Sequence, residues 1–389
     1  MIAASLLCAS PPFAAAQSAS GTTPLSPPAQ AGRQIFFDTL LSNPQGTSCA
    51  SCHNAQQGWS GNNGAKNGVA AGSTPGAFGG RNTPTISYIA FVPGLHIKKE
   101  DGKSEAAGGL FWDGRANSLE EQARGPLFSA AEMNLKDEAE LAARLRSAPY
   151  AAQLRTTFGL ADSDTDAKWA ATTMSALGAF QRSPELMPFS SKYDAMLRGE
   201  TKLSDAEARG LRLFANVKKG NCIACHVFNT KSKSPSEHLF TDFTYDNLGL
   251  PRNAAIPVNA DAKHFDLGLC GPTRDKPKGL ANSACGAFKV PTLRNAAQRP
   301  FYFHNGSFTD LTEVVCFYVE RDTHPAKWYP KDAKGKTAMF NDLPKRYAGN
   351  VNRDEVPYER KPGQKPRLND AEIADVVAFI KTLDDGFKQ

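Results

Sequence analysis

The sequence predicts a mostly α-helical protein made of two similar domains. Three observations carry this. The string Cys-Xaa-Xaa-Cys-His occurs twice, at Cys49–His53 and Cys222–His226. Each copy sits in a matching frame of helix-like residues. Alternation of apolar and polar residues, the mark of a half-buried strand, is scarce.

Taken in chain order, residues 1–30 read as a signal peptide and flexible leader. Ile2 to Ala16 is apolar and ends Ala14-Ala15-Ala16, an A-x-A-like processing site, although a basic start is missing. Cys8, in Leu6-Leu7-Cys8, also fits a poor lipoprotein site. Gln17 to Gln30 is rich in Ser, Thr, Pro and Ala. Residues 31–195 form the first expected domain. It opens with Gly32-Arg33-Gln34-Ile35-Phe36 and closes with an amphipathic helix from about Asp166 to Arg182, carrying Trp169, Met174, Leu177 and Phe180 at helical spacing. Pro184 to Leu203 links the halves. Residues 196–389 form the second domain. It opens with Gly210-Leu211-Arg212-Leu213-Phe214 and closes with a helix from about Asn369 to Leu383, with Asn369 as N-cap and Glu372 three residues on. The apolar stripes of both closing helices are core. With 32 glycines and 26 prolines, long irregular connections are expected between helices.

The doubled string is the c-type haem attachment motif. Each thiol adds to one haem vinyl group, and the adjacent histidine is held against the iron. One chance match in a chain of 389 residues has odds of roughly one in a few hundred. Two matches set aside unrelated thiols, zinc and a redox pair. The fold class is therefore two cytochrome c-type domains, each with one covalently bound haem c. Cys49, Cys52 and His53 hold the first, and Cys222, Cys225 and His226 the second. Cys270 and Cys285 flank a Gly/Pro/Lys loop and suit a disulfide in an oxidising compartment, which points to the periplasm. Cys316 is left over. The net charge of +6 is unclustered, which argues against a nucleic-acid partner, and no apolar run is long enough to cross a membrane.

Around the motifs stand further ordered blocks: Arg81-Asn82-Thr83-Pro84-Thr85, Phe111-Trp112-Asp113-Gly114-Arg115, Leu119-Glu120-Glu121-Gln122-Ala123, Gly125-Pro126-Leu127, Glu132-Met133, Val290-Pro291-Thr292-Leu293-Arg294-Asn295 and Phe303-His304-Asn305-Gly306. On these the chain resembles the bacterial dihaem cytochrome c peroxidase family and its MauG-like branch, from about Gly32 to Gly386. The resemblance implies a peroxide-reactive haem in the first half, under a distal pocket of Gln122, Pro126 and Glu132. A carboxylate there can take a proton from the inner peroxide oxygen and return it to the outer one. Gln122 can hold the bound molecule by hydrogen bonding. Trp112 would lie between the haems and relay electrons.

Many family peroxidases carry a capping histidine sixteen residues after the first haem-binding histidine. That position is Val69 here, and His96 lies in an unmatched context, so the first haem is expected to be open or water-ligated, with His96 the other option. Fourteen residues after His304, where typical members have methionine, stands Tyr318, as in MauG-like members. A phenolate favours Fe(III) and higher states, giving a low potential suited to storing an oxidising equivalent as Fe(IV). Met339 is the alternative ligand. The resemblance also implies one interdomain calcium ion, with Asn82 as side-chain ligand and carbonyl donors near Arg299 to Phe301.

The expected function is a peroxidase, reducing hydrogen peroxide to water with electrons from a small c-type cytochrome or cupredoxin. The alternatives are a MauG-like enzyme using paired Fe(IV) haems to oxidise residues of a protein substrate, a dihaem electron carrier without turnover, and an oxygenase acting on an organic polymer. The resemblance leaves a homodimer open.

Overall fold

The computed structural model describes residues 24–100 and 103–388. The expected signal and Cys8 lie outside the described residues. The principal helices are α1 (Pro27–Phe37), α2 (Leu119–Phe128) and α3 (Asp166–Gln181) in the first half. In the second half they are α4 (Lys192–Leu197), α5 (Asp205–Ala215), α6 (Leu311–Glu320) and α7 (Asp370–Lys381). Sheet is minor. A hairpin pairs β1 (His96–Glu100) with β2 (Lys103–Ala107), and β3 (Tyr245–Asp246) pairs with β4 (Phe288–Lys289), both antiparallel. No helix among the described residues is long and apolar enough to cross a membrane.

The two halves repeat one packing device. α1 crosses α3, and α5 crosses α7. Each crossing brings a glycine of the opening helix onto the closing helix's backbone. A Cβ on Gly32 would lie 1.9 Å from the carbonyl oxygen of Ala176, and one on Gly210 would lie 1.9 Å from that of Asp375. The following phenylalanines then reach the cores. Phe36 packs with Trp169 and Phe180, and Phe214 packs with Val376 and Phe379. The closing helices begin as their sequences require. Thr165 accepts from the backbone N–H of Lys168, and Asn369 forms a reciprocal capping box with Glu372.

Two boundaries differ from the sequence expectation. The leader was expected to run flexibly to residue 30, yet α1 starts at Pro27 with Ala29 and Ala31 buried. Proline is favoured in the first helical turn because its missing N–H has no partner to lose there. The division at 195/196 falls inside α4, whose Tyr193 is buried in the second core. Cys270 and Cys285 are disulfide-bonded, and the closed loop carries Thr273 and Arg274 toward the first half.

Replacing Gly210 with valine should force α5 away from α7. We expect destabilisation of about 1–3 kcal/mol or more from overpacking, read as a lowered melting temperature of the haem-loaded protein. Gly210→Ala should show the same sign with smaller size.

Two candidate haem sites

The first motif forms a single helical turn, Cys49–Cys52, opened by a Ser48/Ser51 capping box. The second forms a tighter turn, Cys222–Ala224, entered through Asn221 at φ 50°. In both, the histidine N–H donates to the carbonyl of the first cysteine at 2.8 Å. This bond sets both thiols and the imidazole on one side of the turn. His53 Nδ1 lies 3.2 Å from the carbonyl oxygen of Trp59, and His226 Nδ1 lies 3.0 Å from that of Phe240. Such a bond makes Nδ1 the protonated nitrogen and leaves the Nε2 lone pair for a metal. Burial pushes His53 down to about 4 and also lowers His226. Both imidazoles are therefore neutral near pH 7, the form that ligates iron.

The residues expected above the first haem converge by a fold-back. Gln122 and Pro126 lie one turn apart on α2. Proline supplies no N–H, so the Gln122 carbonyl lacks its usual helical donor. After α2 the chain turns sharply. Met133 N–H donates to Pro126 at 3.1 Å, Leu135 N–H to Leu127 at 2.9 Å, and Asn134 takes φ 57°. Glu132 is clamped in that turn, its N–H bonded to Ser129 and its carbonyl accepting from Ser73 N–H at 2.7 Å. Burial raises the Glu132 carboxyl above its ordinary value, and Arg115 opposes this. Burial first, and the Glu132 charge next, push the Cys52 thiol up to about 12, so the carboxyl stands close to the first attachment motif. Val69 is buried. His96 is exposed on the hairpin, with Nδ1 3.0 Å from the Gly94 carbonyl.

The second motif lines a cleft holding about 2080 Å³ of open space, mouth included. Cys222, Cys225, His226, Tyr318 and Trp112 all line it, with Val376 and Ile380 of α7 among its apolar residues. Tyr318 projects from α6 and stacks on Tyr358, with ring centroids 6.1 Å apart. Burial raises its phenol well above the ordinary value. Met339 packs instead beside the Phe317–Tyr329 cluster and is not among the residues lining this cleft. Thiols, a neutral imidazole, a facing phenol and an apolar wall together fit a covalently tethered haem.

Trp112 is held at both ends. Its indole N–H donates to the Asn82 carbonyl at 2.8 Å, and its own carbonyl accepts from Lys289 N–H at 2.9 Å. Asn82 bonds the carbonyls of Phe301 and Phe303 through Nδ2, while its buried Oδ1 has no protein partner. An orphaned, buried oxygen of this kind suits a hard cation.

Sequence reasoning gave no role to the charges around Trp112. Asp113 is fully buried and pairs with Arg81 at 2.8 Å and Arg115 at 2.9 Å. Arg81 also binds Asp266 at 2.6 Å, across the two halves. Arg81, Asp113 and Arg115 stand inside the sequence blocks quoted above, but a block does not reveal which of its members meet.

Comparison with known proteins agrees with this geometry. Residues 27–202 match the model of the di-haem cytochrome c peroxidase family. The chain is 38% identical over 318 residues to the methylamine utilization protein MauG of Paracoccus denitrificans, covering 79% of each chain. It is 28% identical over 289 residues to cytochrome c551 peroxidase of Pseudomonas aeruginosa, covering 73% of this chain and 69% of that one. The diheme peroxidase BthA of Burkholderia thailandensis superposes with a TM-score of 0.85 at 39% identity, over 94% of this chain and 88% of that one. Two cysteine–histidine attachment turns, set in a repeated helical frame, thus belong to an oxidoreductase of the di-haem cytochrome c peroxidase family, in its MauG-like branch.

Proposed function

We propose that this protein reduces hydrogen peroxide to water at its first haem, using electrons from a small c-type cytochrome or cupredoxin that arrive by way of the second. The observation that carries this reading is the inequality of the two sites. A half-buried carboxyl, Glu132, stands near the first attachment motif, whereas a half-buried phenol, Tyr318, shares the second cleft with His226.

When bound, the haems supply iron that accepts oxidising equivalents from peroxide. The chain's own residues do the rest. Glu132 takes the proton from the inner peroxide oxygen and delivers it to the outer one. Burial raises its affinity for protons, and Arg115 acts against this. Gln122 donates a hydrogen bond to the bound molecule, and Pro126 limits the space above it. Two electrons and two further protons complete the conversion of each peroxide to two waters. Trp112, fixed by Asn82 and Lys289, lies on the route between the sites. Tyr318 would hold the second iron through its phenol oxygen, a hard donor that favours the higher oxidation states. The disulfide and the two haem-attachment motifs support a periplasmic location. Asn82 Oδ1 supports a calcium ion between the halves.

Tyr318 specifically favours a second reading, oxidation of residues on a partner protein. A hard anionic ligand lowers the second haem's potential and weakens electron entry there. The two readings separate in one experiment. The fully ferric enzyme is mixed with peroxide and followed by electron paramagnetic resonance, then supplied with a reduced small cytochrome. Rapid multiple turnover supports the peroxidase. A long-lived oxidised state that ignores the cytochrome supports protein oxidation. An unchanged spectrum after peroxide removes both.

Glu132→Gln should slow the reaction with peroxide by about 100-fold or more, measured by stopped flow; near-normal rates would exclude the proton shuttle. Tyr318→Met should raise the second haem's reduction potential in spectroelectrochemistry, and no shift would place the ligand elsewhere. Metal analysis should find one calcium per chain, lost in Asn82→Ala.

A further inference from the structure

Lys289 is the cavity-lining charge that the reading above leaves without a task. Among the described residues lining the second cleft, the only lysine or arginine side chains are Lys289 and Arg299. Arg299 is already engaged, donating to the carbonyls of Thr292 at 2.9 Å and Arg294 at 2.6 Å. Lys289 Nζ has no hydrogen bond or ion pair to a described residue. Its recorded contact is the face of Phe243, 5.9 Å to the ring centroid. Burial alone pushes its ammonium down to about 8.

The carboxylates lining the same cleft do not answer it. Asp266 binds Arg81, Asp342 accepts from Asn305 at 2.9 Å, and Asp246 and Glu355 share the Asn352 amide at 3.2 and 3.1 Å. A half-buried ammonium without a counter-ion lacks the compensation that a pairing charge would give it. This cleft is the one that receives the tethered haem, a group that carries two carboxylates of its own.

We propose that Lys289 Nζ is the counter-ion of one carboxylate of the second haem. The strand that carries Lys289 also holds Trp112, through the 2.9 Å bond from Lys289 N–H to the Trp112 carbonyl. The ion pair thus ties the haem's carboxylate edge to the backbone that positions Trp112. A cation there keeps the haem carboxylate ionised and offsets its charge at the iron. This inference rests on two haems being present, and it is independent of the roles given to Glu132 and Tyr318.

The test uses the haem-loaded Lys289→Met and Lys289→Gln variants, with Lys289→Arg as the conservative control. Haem content is counted per chain, and the midpoint potentials of both haems are measured across pH. In the neutral variants the second haem's potential should fall and acquire a pH dependence in the neutral range, as its unpartnered carboxylate takes up a proton on reduction. The first haem's potential should hold, and Lys289→Arg should restore the parent behaviour. Loss of the second haem in both neutral variants, with retention in Lys289→Arg, supports the same ion pair. Unchanged potentials with two haems present, a shift of the first haem alone, or equal haem loss in Lys289→Arg would overturn it.

Discussion

The buried carboxylate of Asp113 is the constraint on which the arrangement of the two sites depends. It is fully buried, and ionised it would be costly without partners. Arg81 and Arg115 supply two positive charges, Thr273 supplies a hydroxyl, and Arg274 reaches the Asp113 carbonyl at 2.8 Å. Arg81 in turn binds Asp266. Each of the two carboxylates is thus answered by at least one guanidinium. The cluster's members come from the segment around Arg81, from Trp112's own loop and, in the second half, from Asp266 and the disulfide-closed loop that follows it. Removing one partner from such a cluster costs about 3–5 kcal/mol, because the others stay buried. Trp112 is therefore positioned by a charge cluster that joins the two halves.

A repeated helical frame explains why the halves look alike, and the residues on the far side of each motif explain why they differ. The tethers impose the same requirement twice: a turn that aligns two thiols and a neutral imidazole. Beyond that the sides are unconstrained by the tether. In the first half a proline in α2 and a fold-back turn bring a carboxyl close to the motif. In the second half a helix presents a tyrosine into the cleft, backed by Tyr358. A carboxyl moves protons readily, and a buried phenol stabilises high oxidation states when it ligates. The proposed division of labour rests on these two local choices.

The Lys289 inference has the same logic at smaller scale. Charges in an interior are informative when they lack an answer, since folding does not retain them without return. Among the described residues, Asn82 Oδ1 has no protein partner, and Lys289 Nζ faces only the Phe243 ring. One suits a cation and the other an anion, and both lie beside the segments that hold Trp112.

By itself the sequence determined the two attachment motifs and the repeated frame, because these rest on local chemistry: fixed spacings, helical periodicity and capping pairs such as Asn369 with Glu372. It also marked Tyr318 and Val69 by position alone. It misjudged where α1 begins, since Pro27 reads as leader until the burial of Ala29 and Ala31 is known. Only the tertiary structure decided which charges meet. Arg81 and Asp266 are 185 residues apart in the chain, and no local pattern in either predicts the other. The cleft itself, the isolation of Lys289 within it and the unpaired Asn82 oxygen are properties of packing between distant segments. Such contacts depend on how loops close over a core, and periodicity in one strand of text carries no record of that.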